Sequence, residues 1–499
     1  MSSILRSAVR RGFYVDSVAL MRLSRTISAM GGVEEAAVMM GSPRNMEVLE
    51  SAGLLSDETH AAGPDDLVIA LKASSEPAAR AAMAAAEEML RRPHAAAAGG
   101  ATAVWRPRTL RSAVAAMPDA KIALISVPGA FAAAEAQKAL RQGLHVMIFS
   151  DNVPLEDEVA IKAEARARGL LVMGPDCGTA IVNGLPLGFA NRVPRGSIGV
   201  IGASGTGMQE VICLIARGGG GISHALGVGS RDLSEAVGGV SMAMAVDALD
   251  HDPATERIVL ISKPPSAVVM KRLFARLEHS SKRFVACFIG AGDIEVPDNV
   301  TLAPTLKLTA EAALGAPVDA DFEPERRLSG RCSGEVFGLF TGGTLCAEAQ
   351  LIFLSKGKAV ASNVPVPGAA TVAGLTGAGH RMIDLGADEY THGRPHPMID
   401  PSARDEPLQR ALRSRRTAAI LVDVVIGHGA HRDPAGHIVP LLDATPEHVT
   451  VIASVTGTDD DPQVRSRQIA RLEAAGVVVA PSNAQAAELA AGLAAIASG

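Results

Sequence analysis

The chain has 499 residues, with 47 lysines and arginines against 53 aspartates and glutamates, a formal charge of −6 and only 3% aromatic side chains. An acidic, aromatic-poor chain excludes general nucleic-acid binding, which needs a basic footprint or stacking platforms. It also has no run of about 18 uninterrupted apolar residues to span a membrane, and at this length three or four domains are expected instead of one core. The five cysteines (Cys177, Cys213, Cys287, Cys332 and Cys346) are scattered and form no CxxC pair. They fit reduced thiols, not a disulfide frame or a zinc site, so no metal is expected. Met1–Arg11 is basic but lacks an apolar h-region and a cleavage site, so a cytoplasmic protein is expected.

Residues 1 to 92 read as a small α/β domain. Apolar patterns cover Tyr14–Ser24 and Val33–Met40, a strand is predicted at Asp66–Leu71, and Pro77–Arg92 has a helical apolar face. Pro93–Pro107, rich in alanine and glycine, reads as a linker or exposed loop. From Lys121 the pattern becomes regular. Strands at Ile122–Val127, Leu144–Phe149 and Leu170–Met173 alternate with helices at Ala130–Gln142 and Glu156–Arg168. Such alternation implies a parallel sheet with ligands beyond the carboxyl ends of its strands. The turn Gly174–Thr179 exposes backbone N–H groups and contains Asp176 and Cys177. It is either a domain-crossing turn capped by Asp176 or a ligand loop.

Beyond Pro194 come two stretches with one plan. Gly199–Gly207 runs into Met208–Ala216, and Gly338–Thr344 runs into Leu345–Leu354. Each is an apolar strand, a hydroxyl- and glycine-rich turn, then an amphipathic helix. That plan gathers free N–H groups and the positive end of a helix dipole at one point, which suits phosphate or carboxylate. The expected site is an anion held between two facing helix N-termini by Ser204, Gly205, Thr206, Gly342, Gly343 and Thr344, with Thr341 as a further hydroxyl. Strands at Arg257–Ser262 and Arg283–Ile289 follow the first turn, and Asp319–Arg331 reads as an interdomain linker. Strands at Arg381–Leu385, Ala418–Ile426, Val449–Val455 and Gly476–Ala480 follow the second. The shared order predicts an internally duplicated flavodoxin-like unit.

Several residues near these strand ends carry chemistry. Lys263, ahead of Pro264 and Pro265, is placed to neutralise a dianion, or is a solvated surface lysine. Arg231 and Asp232 are similar loop candidates. In Asp384–Asp400, Arg394 suits a carboxylate or phosphate fork, and His392 and His396 are either general acid–base groups or bystanders. Pro395 between the histidines argues against helical metal spacing. Asp423, inside an apolar strand, is either a structural cap or a site residue; His428, His431 and Asp433 follow it in the next loop.

These motifs resemble a known family. The Ser-Gly-Thr turn preceded by Gly174–Cys177 resembles the α subunit of succinyl-CoA synthetase, and Thr341–Thr344 resembles the matching helix of its β subunit. Nearly end to end, the chain resembles the FdrA family through Tyr14–Arg22, Val146–Glu158, Leu170–Thr179, Ile198–Gly207, Val237–Gly239, Ser262–Pro265 and Gly393–Pro401. The resemblance implies several Rossmann-like or flavodoxin-like parallel-sheet domains. They would be a small N-terminal α/β domain with linker (1–112), a CoA-binding-like Rossmann domain (113–196), and two ligase-type domains (197–328 and 329–499). It implies acyl-CoA synthetase-like chemistry, or a subunit of an oxamate carbamoyltransferase that turns oxalurate and phosphate into oxamate and carbamoyl phosphate in purine catabolism.

Departures from the synthetase pattern decide the expectation. The loop at Gly290-Ala291-Gly292-Asp293 lacks the phosphate-carrying histidine, Lys263 stands where a glutamate supports it, and no nucleotide-binding ATP-grasp module is recognisable. Carbamoyl transfer is therefore the expected activity, with acyl-CoA ligation or a non-catalytic scaffold as alternatives. The expected catalytic groups are Lys263, His396 and Asp423, and the expected substrate contacts are Arg394, Asp176 and Cys177. No cofactor is required, with CoA possible under the ligase alternative. Expected partners are a small anionic substrate, further subunits and a second copy, with neither nucleic acid nor membrane.

Overall fold

The computed structural model describes residues 3–13, 15, 17–63, 66–91, 107, 109–319, 322, 333–372, 378–391, 395–443 and 445–494. Tyr14, residues 93–106 of the expected loop, most of the expected linker 319–331, and the candidates His392 and Arg394 lie outside them. The chain forms two compact units, one of Met1–Arg106 with Thr391–Pro395, the other of Pro107–Tyr390 with His396–Gly499.

In the first unit, strands β1 (Ile4–Arg10), β2 (Val33–Met40) and β3 (Leu67–Ala73) form an antiparallel sheet in the order β1-β3-β2. The helix Glu76–Arg91 places Ala79, Ala82 and Ala86 on one stripe against Leu20, Leu23 and Ile27 of the helix Ser17–Ser28. Strand β1 escapes a sequence reading because its arginines interrupt the apolar alternation. It is an edge strand, and Arg6 turns outward to pair with Glu76 at 2.6 Å.

The second unit holds three sheets. A small parallel one consists of β4 (Ile122–Ile125), β5 (His145–Ile148) and β6 (Val172–Met173). A seven-stranded one runs β13-β12-β11-β9-β10-β7-β8, from β7 (Thr179–Val182), β8 (Leu185–Gly188), β9 (Arg195–Gly202), β10 (Ile222–Gly227), β11 (Arg257–Ser262), β12 (Arg283–Phe288) and β13 (Val300–Leu302). Its five parallel strands end in an antiparallel β7–β8 hairpin that the sequence did not signal.

The third sheet runs β16-β15-β17-β14-β18-β19-β20 and is parallel throughout. Its strands are β14 (Glu335–Phe340), β15 (Val360–Ser362), β16 (Ala370–Thr371), β17 (His380–Asp384), β18 (Thr417–Val425), β19 (Thr450–Thr456) and β20 (Val478–Ala480). The expected α/β class with parallel sheets is what the chain adopts.

The two large sheets repeat one topology. In each, the strand that opens a glycine turn (β9, β14) is central, and three later strands (β11-β12-β13, β18-β19-β20) extend one side in chain order. The helices after the turns, Gly205–Arg217 and Gly343–Ser355, pack into one continuous core through Met208, Ile212, Leu345 and Phe353. Near-complete burial explains why both are apolar almost all round.

The repeat closes on itself through two buried glutamates at the same place in each helix. Glu348 accepts the N–H of Leu306 at 2.6 Å, at the start of the first half's last helix, and the Asn483 side-chain amide at 2.7 Å. Glu210 accepts the N–H of Asn483 at 3.0 Å, at the start of the second half's last helix, and the Thr456 hydroxyl. Each half thus caps a helix of the other. Burial pushes the Glu348 carboxyl up to about 7, helped by the nearby Glu210 charge and opposed by its two donors. Replacing Glu348 by alanine leaves two buried donors unpaired, at about 1–3 kcal/mol each. Glu348→Ala is expected to lower the melting temperature by several degrees while leaving the first unit's hydrogen-exchange protection intact.

Candidate functional site

The turn after β9 is built on Ser204, whose extended backbone starts the helix and whose Oγ accepts the Gly207 N–H at 3.2 Å. The turn after β14 has no such cap, since Gly342 occupies that place. Its role passes to Asp423, reaching across from the adjacent strand β18. Asp423 accepts the Thr341 N–H at 2.7 Å, the Thr341 hydroxyl at 3.0 Å, the Gly342 N–H at 2.8 Å and the Arg404 guanidinium at 2.5 Å.

The two turns meet. The Ser204 and Thr344 hydroxyls are hydrogen-bonded to each other. A methyl group on Gly207 would lie 2.9 Å from Thr344 Cγ2, and one on Gly342 would lie 2.9 Å from Thr206 Oγ1. Glycine is needed at both places because no side chain fits. The two helix starts therefore meet through the side chains of their first turns. Their first-turn N–H groups, at Gly205 and Thr206 on one side and Gly343 and Thr344 on the other, have no partner within their own helices. Together they form one paired positive end.

Asp384 closes one wall. It ends β17, beside β14, and a methyl group on Gly343 would lie 2.7 Å from its Oδ2. Its Oδ1 accepts the Gly386 N–H at 2.9 Å, and Asn363 clamps its backbone through Oδ1 at 2.8 Å and Nδ2 at 2.9 Å. The side chain is 7% exposed. Burial lifts its carboxyl to about 6; the Gly386 N–H and Lys263 oppose that rise, while Asp423 and Glu389 reinforce it. Asp384 was not singled out in the sequence. Its signal was an acid ending an apolar strand next to the strand that opens the turn.

The expected catalytic residues sit in different surroundings. Lys263 is exposed at the end of β11, close enough for its charge to act on Asp384. His396 lies near Gly386, where an added methyl would meet its Nε2 at 2.9 Å and Asp384 Oδ1 at 3.1 Å. Its Nδ1 accepts the Met398 N–H at 3.2 Å, and burial holds its pKa below the usual value against the pull of Asp423. Asp423 requires correction as a proton-transfer group: it is fully buried and both oxygens are taken by four donors, so it caps the turn and pairs with Arg404.

Among the expected substrate contacts, Cys177 is also corrected. Its thiol is buried under Gly227 and pushed up to about 12 by burial, so it offers no reactive thiolate. Asp176 keeps an exposed surface, yet the protein packed around it withdraws much of its hydration, and that desolvation raises its carboxyl to about 6; Asp151 adds to the rise and the Ser230 side chain opposes it. Arg231 pairs with Glu158 at 2.9 Å, and Asp232 accepts from Lys162 at 2.7 Å while capping the helix Val240–His251, so both are structural. His428 accepts from Arg192 at 3.2 Å, and Asp433 caps the helix Pro434–Ile438.

Three family models match the chain: CoA-ligase over residues 339–493, CoA binding domain over 194–290, and "AllF, heavy metal-associated domain" over 1–107. The CoA-binding match thus falls on the segment holding the Gly205 turn, not on 113–196. Heavy-metal sites draw on thiolate and imidazole ligands. Residues 1–107 contain no cysteine, and among the described residues no three His, Cys, Asp or Glu side chains are grouped to hold a metal ion. No step is assigned to a metal there.

The uncharacterized protein YahF of Escherichia coli is 38% identical over 96% of this chain and 96% of its own length. The succinate–CoA ligase [ADP-forming] subunit alpha of Methanothermobacter thermautotrophicus is 27% identical over 35% of this chain and 58% of its own. A solved structure of dinucleotide forming acetyl-coenzyme A synthetase 1 from Ca. Korarchaeum cryptofilum is 16% identical, covering 75% of this chain and 82% of that one, with a TM-score of 0.28. The fold is thus α/β with succinyl-CoA synthetase-like CoA-ligase and CoA-binding domains. The carbamoyltransferase and purine-catabolism expectations have no counterpart among these descriptions. No helix among the described residues is long and apolar enough to cross a membrane.

The Asp384 environment makes a stability prediction. An acid whose pKa is higher folded than unfolded binds protons more tightly when folded, so stability falls as pH rises from about 4 to about 6 and stays lower above that. Asp384→Asn is expected to raise stability at pH 7.5, by up to about 3 kcal/mol, and to leave it nearly unchanged at pH 4. Thermal unfolding at the two pH values measures the difference.

Proposed function

The chain belongs to the same family as YahF, and on that premise we propose that it works in acid–thiol ligation of the acyl-CoA synthetase type, holding a phosphate or acyl phosphate at the paired helix starts. The observation that supports this reading is the hydroxyl contact between Ser204 and Thr344, which brings the starts of the two helices together. In such ligation a nucleoside triphosphate, held by a further subunit, would give its terminal phosphoryl group to the carboxylate and leave as the diphosphate; the CoA thiol would then attack the acyl carbon of the acyl phosphate, lose its proton and release phosphate. The N–H groups of Gly205, Thr206, Gly343 and Thr344 would orient the phosphoryl oxygens, and Lys263 would offset the charge that collects on departing phosphate. Small acids and CoA are the substrate classes this reading implies.

A narrower reading uses the same cradle for carbamoyl transfer between phosphate and an oxalurate-like acid. It is favoured by the absence of histidine in Gly290–Asp293. Partner subunits would then complete the enzyme.

Isothermal calorimetry with phosphate, CoA, ATP and carbamoyl phosphate separates these readings. Phosphate is expected to bind, and Lys263→Glu to weaken it at least about tenfold by reversing a charge next to a dianion. CoA binding supports ligation, whereas carbamoyl phosphate binding without CoA supports the narrower reading. Binding of none of the four would overturn both.

A further inference from the structure

The paired helix starts invite a negative ligand, yet a carboxyl group forms their wall. Asp384 is more than nine-tenths buried, and its Oδ2 approaches the first residue of the Gly343 helix without a hydrogen-bond donor among the described residues. An ionised carboxylate there repels an incoming oxyanion. A protonated one donates a hydrogen bond to it. We propose that Asp384 makes oxyanion binding proton-coupled: the anion enters with one proton, which Asp384 holds on Oδ2 and shares with a ligand oxygen. The inference rests on the anion-site reading and adds to it the protonation state that the site selects.

The surroundings support this assignment over the neighbouring titratable groups. Asp423 on β18 also adds negative charge, but four donors saturate it and Arg404 neutralises it, leaving no oxygen free to carry a shared proton. His396, from the loop after β17, faces the same Gly386 and is held neutral by burial. Glu389, on the short helix after β17, is engaged by the Asn363 side-chain amide at 2.7 Å. Lys263, at the end of β11, is the cation that acts on Asp384 from the other half of the repeat. Of these groups, Asp384 alone joins burial, a free oxygen and contact with the helix start. Its raised pKa, about 6, sets its proton within reach of neutral pH.

Coupling is measurable without knowing the natural ligand. Sulfate serves as probe because it stays dianionic from pH 5 to 8 and cannot supply the proton itself. Calorimetry in buffers of different ionisation enthalpy counts the protons taken up on binding. The wild-type chain is expected to take up close to one proton per sulfate at pH 7 and to lose affinity about tenfold per pH unit above that. Asp384→Asn is expected to bind sulfate with no proton uptake and with affinity flat across this range, and the binding itself shows that the variant is folded. Sulfate binding by the wild type without proton uptake, or undiminished uptake in Asp384→Asn, would overturn the inference while leaving the anion site standing. Absence of sulfate binding by both proteins would overturn the anion site and the inference together.

Discussion

Each helix start carries the equivalent of about half a positive charge, and setting two of them tip to tip is unfavourable unless negative charge is placed nearby. The Ser204–Thr344 contact imposes that arrangement, and much of the surrounding polar structure answers to it. Asp423 supplies a full negative charge to one turn from below, and the buried Arg404 compensates it so that the cap does not cancel the outward-facing field. Removing one partner of such a buried pair typically costs about 3–5 kcal/mol, far more than a surface pair. The remaining positive potential points outward, where an oxyanion completes the balance.

Holding the tips together takes shape as well as charge. A side chain added at Gly207 or Gly342 would press on Thr344 or Thr206 of the opposite turn, so the glycines let the two turns pack against each other's threonines. Behind them, Glu210 and Glu348 cross-cap the last helices of the opposite halves, tying the duplicated sheets into one core. The site is thus a product of the duplication. Neither half alone would present two helix starts to one ligand.

Most of the scaffold was legible because its signals are local. Apolar strands followed by glycine- and hydroxyl-rich turns marked β9 and β14 with the helices after them, and the repeat of that pattern revealed the duplication. Short parallel strands such as Arg257–Ser262 were read to the residue because burial on both faces makes them continuous apolar runs. The misses were non-local. Asp423 was noticed as a buried acid, but its commitment to a turn some eighty residues earlier depends on β14–β18 pairing. Asp384 became visible only once β17 was placed beside β14, and Cys177 only once Gly227 covered it. Strand β1 was hidden by its arginines, which an edge position tolerates.

The central claim is that two helix starts from the two halves act as a single anion site. Glycine-selective 15N labelling gives the direct test, because Gly205 and Gly343 stand at the first position of each helix. On titration with phosphate, both amide resonances should move with one common midpoint. Movement of only one, or of the two with different midpoints, would contradict a single shared site.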